Sequence, residues 1–206
     1  MHAKARTIAF MVSRVRGILC LCTVGIAALL AEAAPLATDS GVTDAPSRVL
    51  TGHASEVSTL IFAPSGRLLI SGSTDQTIRL WEPETGRELR LLRGHTGAVR
   101  GLAVSANGQW LASGSADSTI RIWDLASGKE LQAMTSRFGE IRGVAFSPDA
   151  RLLASVGDDG SLRLWEWAAG KESKAVRTRF GMVFSVAFAA DGRTLATGGV
   201  DAVVRV

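Results

Sequence analysis

The sequence predicts an all-β chain built as a tandem array of four-stranded antiparallel units, and three observations carry that prediction. Trp81, Trp123 and Trp165 are spaced 42 residues apart. Asp75, Asp117, Asp159 and Asp201 keep the same interval, and Gly52-His53 returns as Gly94-His95. Within each period, short apolar runs alternate with turn residues at nearly even intervals, the pattern of an antiparallel meander rather than of helices. One such unit cannot bury its apolar face alone, so the repetition implies copies stacked on one another.

In chain order, the first element is a leader. Lys4, Arg6, Arg14 and Arg16 precede the apolar run Gly17 to Ala31, which ends in Ala31-Glu32-Ala33 with small residues where a signal peptidase cuts. Residues 1–33 therefore read as an export signal, with Met11 as an alternative start to Met1. The alternative is a membrane anchor formed by residues 17–31, but that run has 15 residues where a span needs about 20. Cys20 and Cys22 both lie inside the leader, so the mature chain is expected to hold no thiol and no disulfide. Residues 34–47 are small and polar, too poor in large side chains to pack, and read as a flexible linker.

The chain carries 23 Lys+Arg against 19 Asp+Glu, with a pI near 9.7. Removing residues 1–33 leaves 19 basic and 18 acidic residues, so the excess charge belongs to the leader. No basic stripe interleaved with aromatics follows, which argues against nucleic acid as a partner.

From residue 48 the array begins, with repeats over about 52–93, 94–135, 136–177 and an incomplete 178–206. In the first repeat, Val57–Ala63, Leu68–Ser73, Thr77–Glu82 and Glu88–Leu92 read as strands, joined by Pro64-Ser65-Gly66, Thr74-Asp75-Gln76 and Pro83-Glu84-Thr85-Gly86. The second gives Val99–Ser105, Leu111–Ser115, Ile120–Asp124 and Glu130–Ala133. The third gives Ile141–Ser147, Leu152–Val156 and Leu162–Glu166, and the fourth a strand from Val183 and another over Leu195–Gly199.

These residues resemble the WD-repeat β-propeller family, whose repeats carry a Gly-His near the start and a Trp-Asp near the end of the third strand. Gly94-His95 and Trp123-Asp124 match that pattern, while Trp81-Glu82 and Trp165-Glu166 exchange one carboxylate for another. The resemblance covers residues 48–206 and implies a propeller of four-stranded antiparallel blades, about four of them present. Because the next Trp would fall at 207, the array is expected to be part of a larger propeller. Arg48–Leu50 fits the outermost strand of a further blade.

The resemblance also implies a hydrogen-bonded set in each blade. It comprises His53, Ser71, Asp75 and Trp81 in the first, His95, Ser113, Asp117 and Trp123 in the second, and Ser155, Asp159 and Trp165 in the third. Ser, His and Asp together suggest a nucleophilic triad, but a group that recurs with the fold period belongs to the architecture. The later His positions hold Arg137 and Arg179, and Thr197 takes the fourth Ser position. Those arginines either point outward or pair with Asp159 or Asp201.

Partner contacts in the family fall three and five residues after the His and one before the Asp. Carried over, they are Glu56, Ser58 and Thr74; Ala98, Arg100 and Ala116; Glu140, Arg142 and Asp158; and Met182, Phe184 and Val200. The last three are apolar and either form an exposed patch or lean between blades. With only His53 and His95 left after the leader and no Cys, no metal, cofactor or catalytic site is predicted. The expected function is a non-catalytic scaffold for other proteins in an exported compartment, periplasmic or extracellular, touching membrane only through an uncleaved leader. The alternatives are the recognition part of a larger secreted enzyme or electron-transfer protein, and a quinone- or sugar-processing propeller enzyme.

Overall fold

The computed structural model describes residues 48–136, 139–177 and 181–206. The leader of residues 1–33, the linker, Arg137 and Arg179 lie outside the described residues.

Fifteen strands run in chain order among them. The first sheet holds β1 (Val57–Phe62), β2 (Leu69–Ser73), β3 (Ile78–Glu82) and β4 (Arg87–Leu92), and the second β5 (Val99–Val104), β6 (Trp110–Ser115), β7 (Thr119–Asp124) and β8 (Glu130–Thr135). The third holds β9 (Ile141–Phe146), β10 (Leu153–Gly157), β11 (Ser161–Glu166) and β12 (Lys171–Arg177). The fourth holds β13 (Val183–Phe188), β14 (Leu195–Gly199) and β15 (Val204–Arg205). Every sheet is a meander with neighbours in sequence order, and every pairing is antiparallel. The registers repeat: Leu69 faces Trp81, Leu111 faces Trp123 and Leu153 faces Trp165. These are four blades of a β-propeller.

The blades pack through their first strands, β1 against β5, β5 against β9 and β9 against β13. The core consequently lies between blades rather than within them. Ile70, Ile78, Leu80 and Leu92 of the first blade meet Val99, Leu102, Leu111 and Trp123 of the second. Ile120, Ile122 and Met134 meet Ile141, Leu153, Trp165 and Trp167, and Ala154 and Val156 meet Val183 and Val186. Close approach at the axis depends on glycine. A Cβ on Gly101 would stand 2.9 Å from the Arg142 carbonyl oxygen, and one on Gly143 2.9 Å from that of Phe184.

Two elements depart from the sequence reading. β12 is a strand although its alternation is invisible, because all seven side chains are exposed on an outer edge. A 3-10 turn at Trp167–Ala169 drops the Trp167 indole into the core, where Nε1 donates to the Ala150 carbonyl at 2.8 Å and the ring packs on Trp110. Residues 48–50 do not register as a strand. Arg48 nevertheless donates to the Pro83 carbonyl, as Arg90 of β4 donates to that of Ala126, so Arg48 sits where an outer-strand residue of a preceding blade would.

Candidate partner-binding face

Each blade is locked by a polar set at the mouth of its second turn. In the first, His53 Nδ1 lies 2.8 Å from Asp75 Oδ2 and Nε2 2.7 Å from Ser71 Oγ, which accepts from Trp81 Nε1 at 2.8 Å. In the second, the same distances are 2.9 Å for His95–Asp117, 2.7 Å for His95–Ser113 and 2.9 Å for Trp123–Ser113. Thr77 and Thr119, absent from the sequence-level sets, each donate to their Asp at 2.6 Å.

The electrostatics fix the proton positions. Burial alone pushes the Asp117 carboxyl up, but hydrogen bonds from the Thr119 hydroxyl, the Thr96 amide and His95 outweigh it and hold the group at about 2. Burial pushes His95 below its ordinary value, against the pull of Asp117. A neutral imidazole facing a carboxylate carries its proton on Nδ1. Its Nε2 then accepts from the Ser113 hydroxyl, while Ser113 Oγ accepts from Trp123. Ser113 is 0% exposed and its hydroxyl is held between the imidazole and the Trp123 indole, so the set ties the entry to the second blade to β6 and β7 as a clamp.

In the third blade Trp165 Nε1 still donates to Ser155 at 2.8 Å, but Asp159 joins a different partner. Arg163 Nη2 donates to Asp159 Oδ2 at 2.5 Å, and Arg205 pairs with Asp201 in the fourth blade. The arginines responsible form a ladder of their own, which the family pattern does not include: Arg79, Arg121, Arg163 and Arg205 are also 42 apart. Where a His is present, this arginine turns to the outer strand, Arg79 to Glu88 and Arg121 to Glu130 at 2.5 Å. In the third blade it serves both, with Arg163 Nε 3.4 Å from Glu172.

The twelve candidate contact positions assemble in one repeating arrangement. The amide of the residue before each turn Asp donates to the carbonyl of the residue before each first strand. These bonds are Thr74 to Glu56 at 2.9 Å, Ala116 to Ala98 at 2.8 Å, Asp158 to Glu140 at 3.1 Å and Val200 to Met182 at 3.1 Å. Two residues further along the first strand stand Ser58, Arg100, Arg142 and Phe184. Every blade thus presents a backbone-bonded pair and a third side chain on the same rim.

The chemistry changes from blade to blade. Ser58 donates across to the Val99 carbonyl, and Thr74 Oγ1 donates to Ser55 Oγ at 2.7 Å, which ties up these two hydroxyls of the first blade. Arg142 makes a bidentate pair with Asp158, at 2.5 Å through Nε and 3.2 Å through Nη2. That hydrogen bond, with Glu140 3.4 Å away, raises the Arg142 pKa. Its guanidinium carbon lies 5.6 Å over the Phe184 ring. Met182 and Phe184 are each 42% exposed and Val200 53%.

The family pattern described as WD domain, G-beta repeat matches residues 44–82, 86–124, 128–166 and 173–206. Over 46 residues the chain is 50% identical to a ribosome biogenesis protein BOP1 homolog of Monosiga brevicollis, covering 22% of this chain and 6% of that protein. Over 32 residues it is 59% identical to a periodic tryptophan protein 2 homolog of Neurospora crassa, covering 16% and 4%. The solved structure of U3-55K superposes with a TM-score of 0.71 at 28% identity, covering 77% of this chain and 50% of that one. The RRP9 WD40 repeats superpose at 0.69 and 27%, covering 74% and 47%. The chain therefore spans about half the length of these solved relatives and a small part of the curated ones. With four repeats matched across most of its length, and with blades to show for them, the chain belongs to the WD domain, G-beta repeat family.

Proposed function

We propose that this chain is a non-catalytic scaffold that binds another protein through the rim carrying Glu56, Ser58, Thr74, Arg100, Glu140, Arg142, Asp158, Met182, Phe184 and Val200, and that it does so after export. One observation carries the reading: an exposed apolar trio abuts a charged network on a rigid rim, with Arg142 bridging the two. Partner-binding surfaces combine large apolar side chains at the centre with charged groups around them. Scattered exposed apolar residues need no explanation, but Met182 and Val200 are joined by a backbone bond and form a contiguous patch with Phe184 two residues on. Export is supported by the basic start and the apolar run at residues 17–31.

Affinity capture with the full-length protein, compared with Phe184→Ala and Arg142→Ala, tests the rim. Loss of the captured partner in either variant, with the melting curve intact, supports it; an unchanged partner set with both refutes it. Mass measurement of the mature protein tests export, because retention of residues 1–33 in the cytoplasmic fraction refutes the leader.

A further inference from the structure

We propose that the rim is built for a peptide bearing a carboxylate and a large apolar side chain, with Arg100 holding the carboxylate and Met182, Phe184 and Val200 receiving the apolar group. The inference rests on the scaffold reading above and names the partner's chemistry.

Arg100 and Arg142 occupy equivalent places on successive blades, but their surroundings differ. Arg142 has a carboxylate of its own blade, Asp158, in a bidentate pair. At the equivalent place beside Arg100 stands Ala116, whose amide makes the same backbone bond as that of Asp158. The frame is therefore the same and only the carboxylate is missing. Ala98 completes the surroundings of Arg100 with a second small side chain where the third blade has Glu140.

What Arg100 does have is Glu140 of the next blade, at 3.8 Å from Nε, beyond hydrogen-bond reach. Its Nε is buried and donates no hydrogen bond. Glu140 lies closer to Arg142, at 3.4 Å. The Arg100 side chain is about a third exposed, and its two Nη groups, rather than the buried Nε, are open to a planar acceptor. Arg142, with its guanidinium over the Phe184 ring, continues the surface on the far side of Glu140. An acidic side chain in an extended segment, with an apolar residue further along, matches both features at once.

The test uses the full 206-residue chain and fluorescence anisotropy of labelled, end-capped nine-residue peptides from a positional-scanning library. Selection of Asp or Glu together with Leu, Met or Phe is the expected result. In the selected peptide, replacing the acid by its amide should weaken binding about tenfold to a hundredfold, the range for a charged hydrogen-bonded pair. Arg100→Gln should abolish that discrimination. Ala116→Asp should also abolish it by supplying the carboxylate from within, and this variant keeps the arginine and its packing. An acid preference that persists in both variants overturns the proposal, as does selection of basic peptides, tighter binding of phosphoserine than of Asp or Glu, or no binding at all. Phe184→Ser separates the two readings. If it abolishes binding while Arg100→Gln leaves the discrimination intact, the rim stands and the carboxylate assignment falls; if neither variant matters, both fall.

Discussion

Ser113→Ala and Ser155→Ala remove the same hydroxyl from equivalent places, and the structure predicts different costs. Ser113 Oγ accepts from Trp123 and bonds His95, whereas Ser155 accepts from Trp165 with no His in its blade. The indoles and His95 are between 3% and 6% exposed, so water cannot replace the lost partner. An orphaned buried polar group costs about 1–3 kcal/mol. Ser113→Ala orphans two groups and Ser155→Ala one, which gives about 2–6 against about 1–3 kcal/mol. A gap of about 2 kcal/mol separates the thermal midpoints by roughly 4–8 °C in a domain of this size. Circular dichroism melts give the midpoints. Hydrogen exchange on the amides of β6 and β10 places each loss in its own blade, since repeat arrays open locally. The reasoning fails if Ser155→Ala melts as low as Ser113→Ala, or if exchange rises equally in both blades of either variant.

Three further outcomes follow from the same geometry. The His95 pKa is lowered from 6.5, so below that pH the unfolded chain takes up a proton that the folded chain refuses. Stability should decline as pH falls below 6.5. A second loss should come as Asp117, lowered from 3.8 to about 2, is protonated below 3.8. Melts from pH 8 to pH 3 should show both steps, and His95→Gln should erase the first. Arg163→Ala strands Asp159, whose arginine partner is only 6% exposed, and should cost about 3 kcal/mol; urea unfolding that places it below the cost of Arg121→Ala would contradict the inward role of Arg163. Gly157→Ala puts a Cβ 2.0 Å from the Glu140 carbonyl oxygen at the bulge between β9 and β10. It should destabilise by about 2 kcal/mol or more and displace Glu140, measurable as a midpoint shift in the same melts.

The fold was legible because the period is rigid. Trp81, Trp123 and Trp165 recur at equal spacing only if every strand and turn between them keeps its length, and the registers in the sheets follow. β12 was not legible, since an edge strand with every side chain in solvent needs no alternation. Trp167 read as the residue after a strand, and only the 3-10 turn brings its ring back onto Trp110. On the rim, the period located Phe184 and Met182 but could not say which way they lean, because exposure depends on what the neighbouring blade places against them. The arginine ladder was as regular as the tryptophan one. It stayed unread because Arg-x-Trp looks like an ordinary alternating strand, and its partners differ between blades: outer-strand Glu where an imidazole is present, turn Asp where it is not, with Arg163 reaching both.

That arginine gives the array a spare part. Every unit carries that cation on its third strand, and in the two units without an imidazole it pairs with the turn aspartate, so no acidic side chain is abandoned there. Loss of the most recognisable polar residue is therefore a tolerable event, survivable one unit at a time. Freed from identical locks, neighbouring units can drift in what they display while the frame beneath them holds its dimensions. The progression around the rim from hydroxyl to guanidinium to bare hydrocarbon is what such tolerance permits.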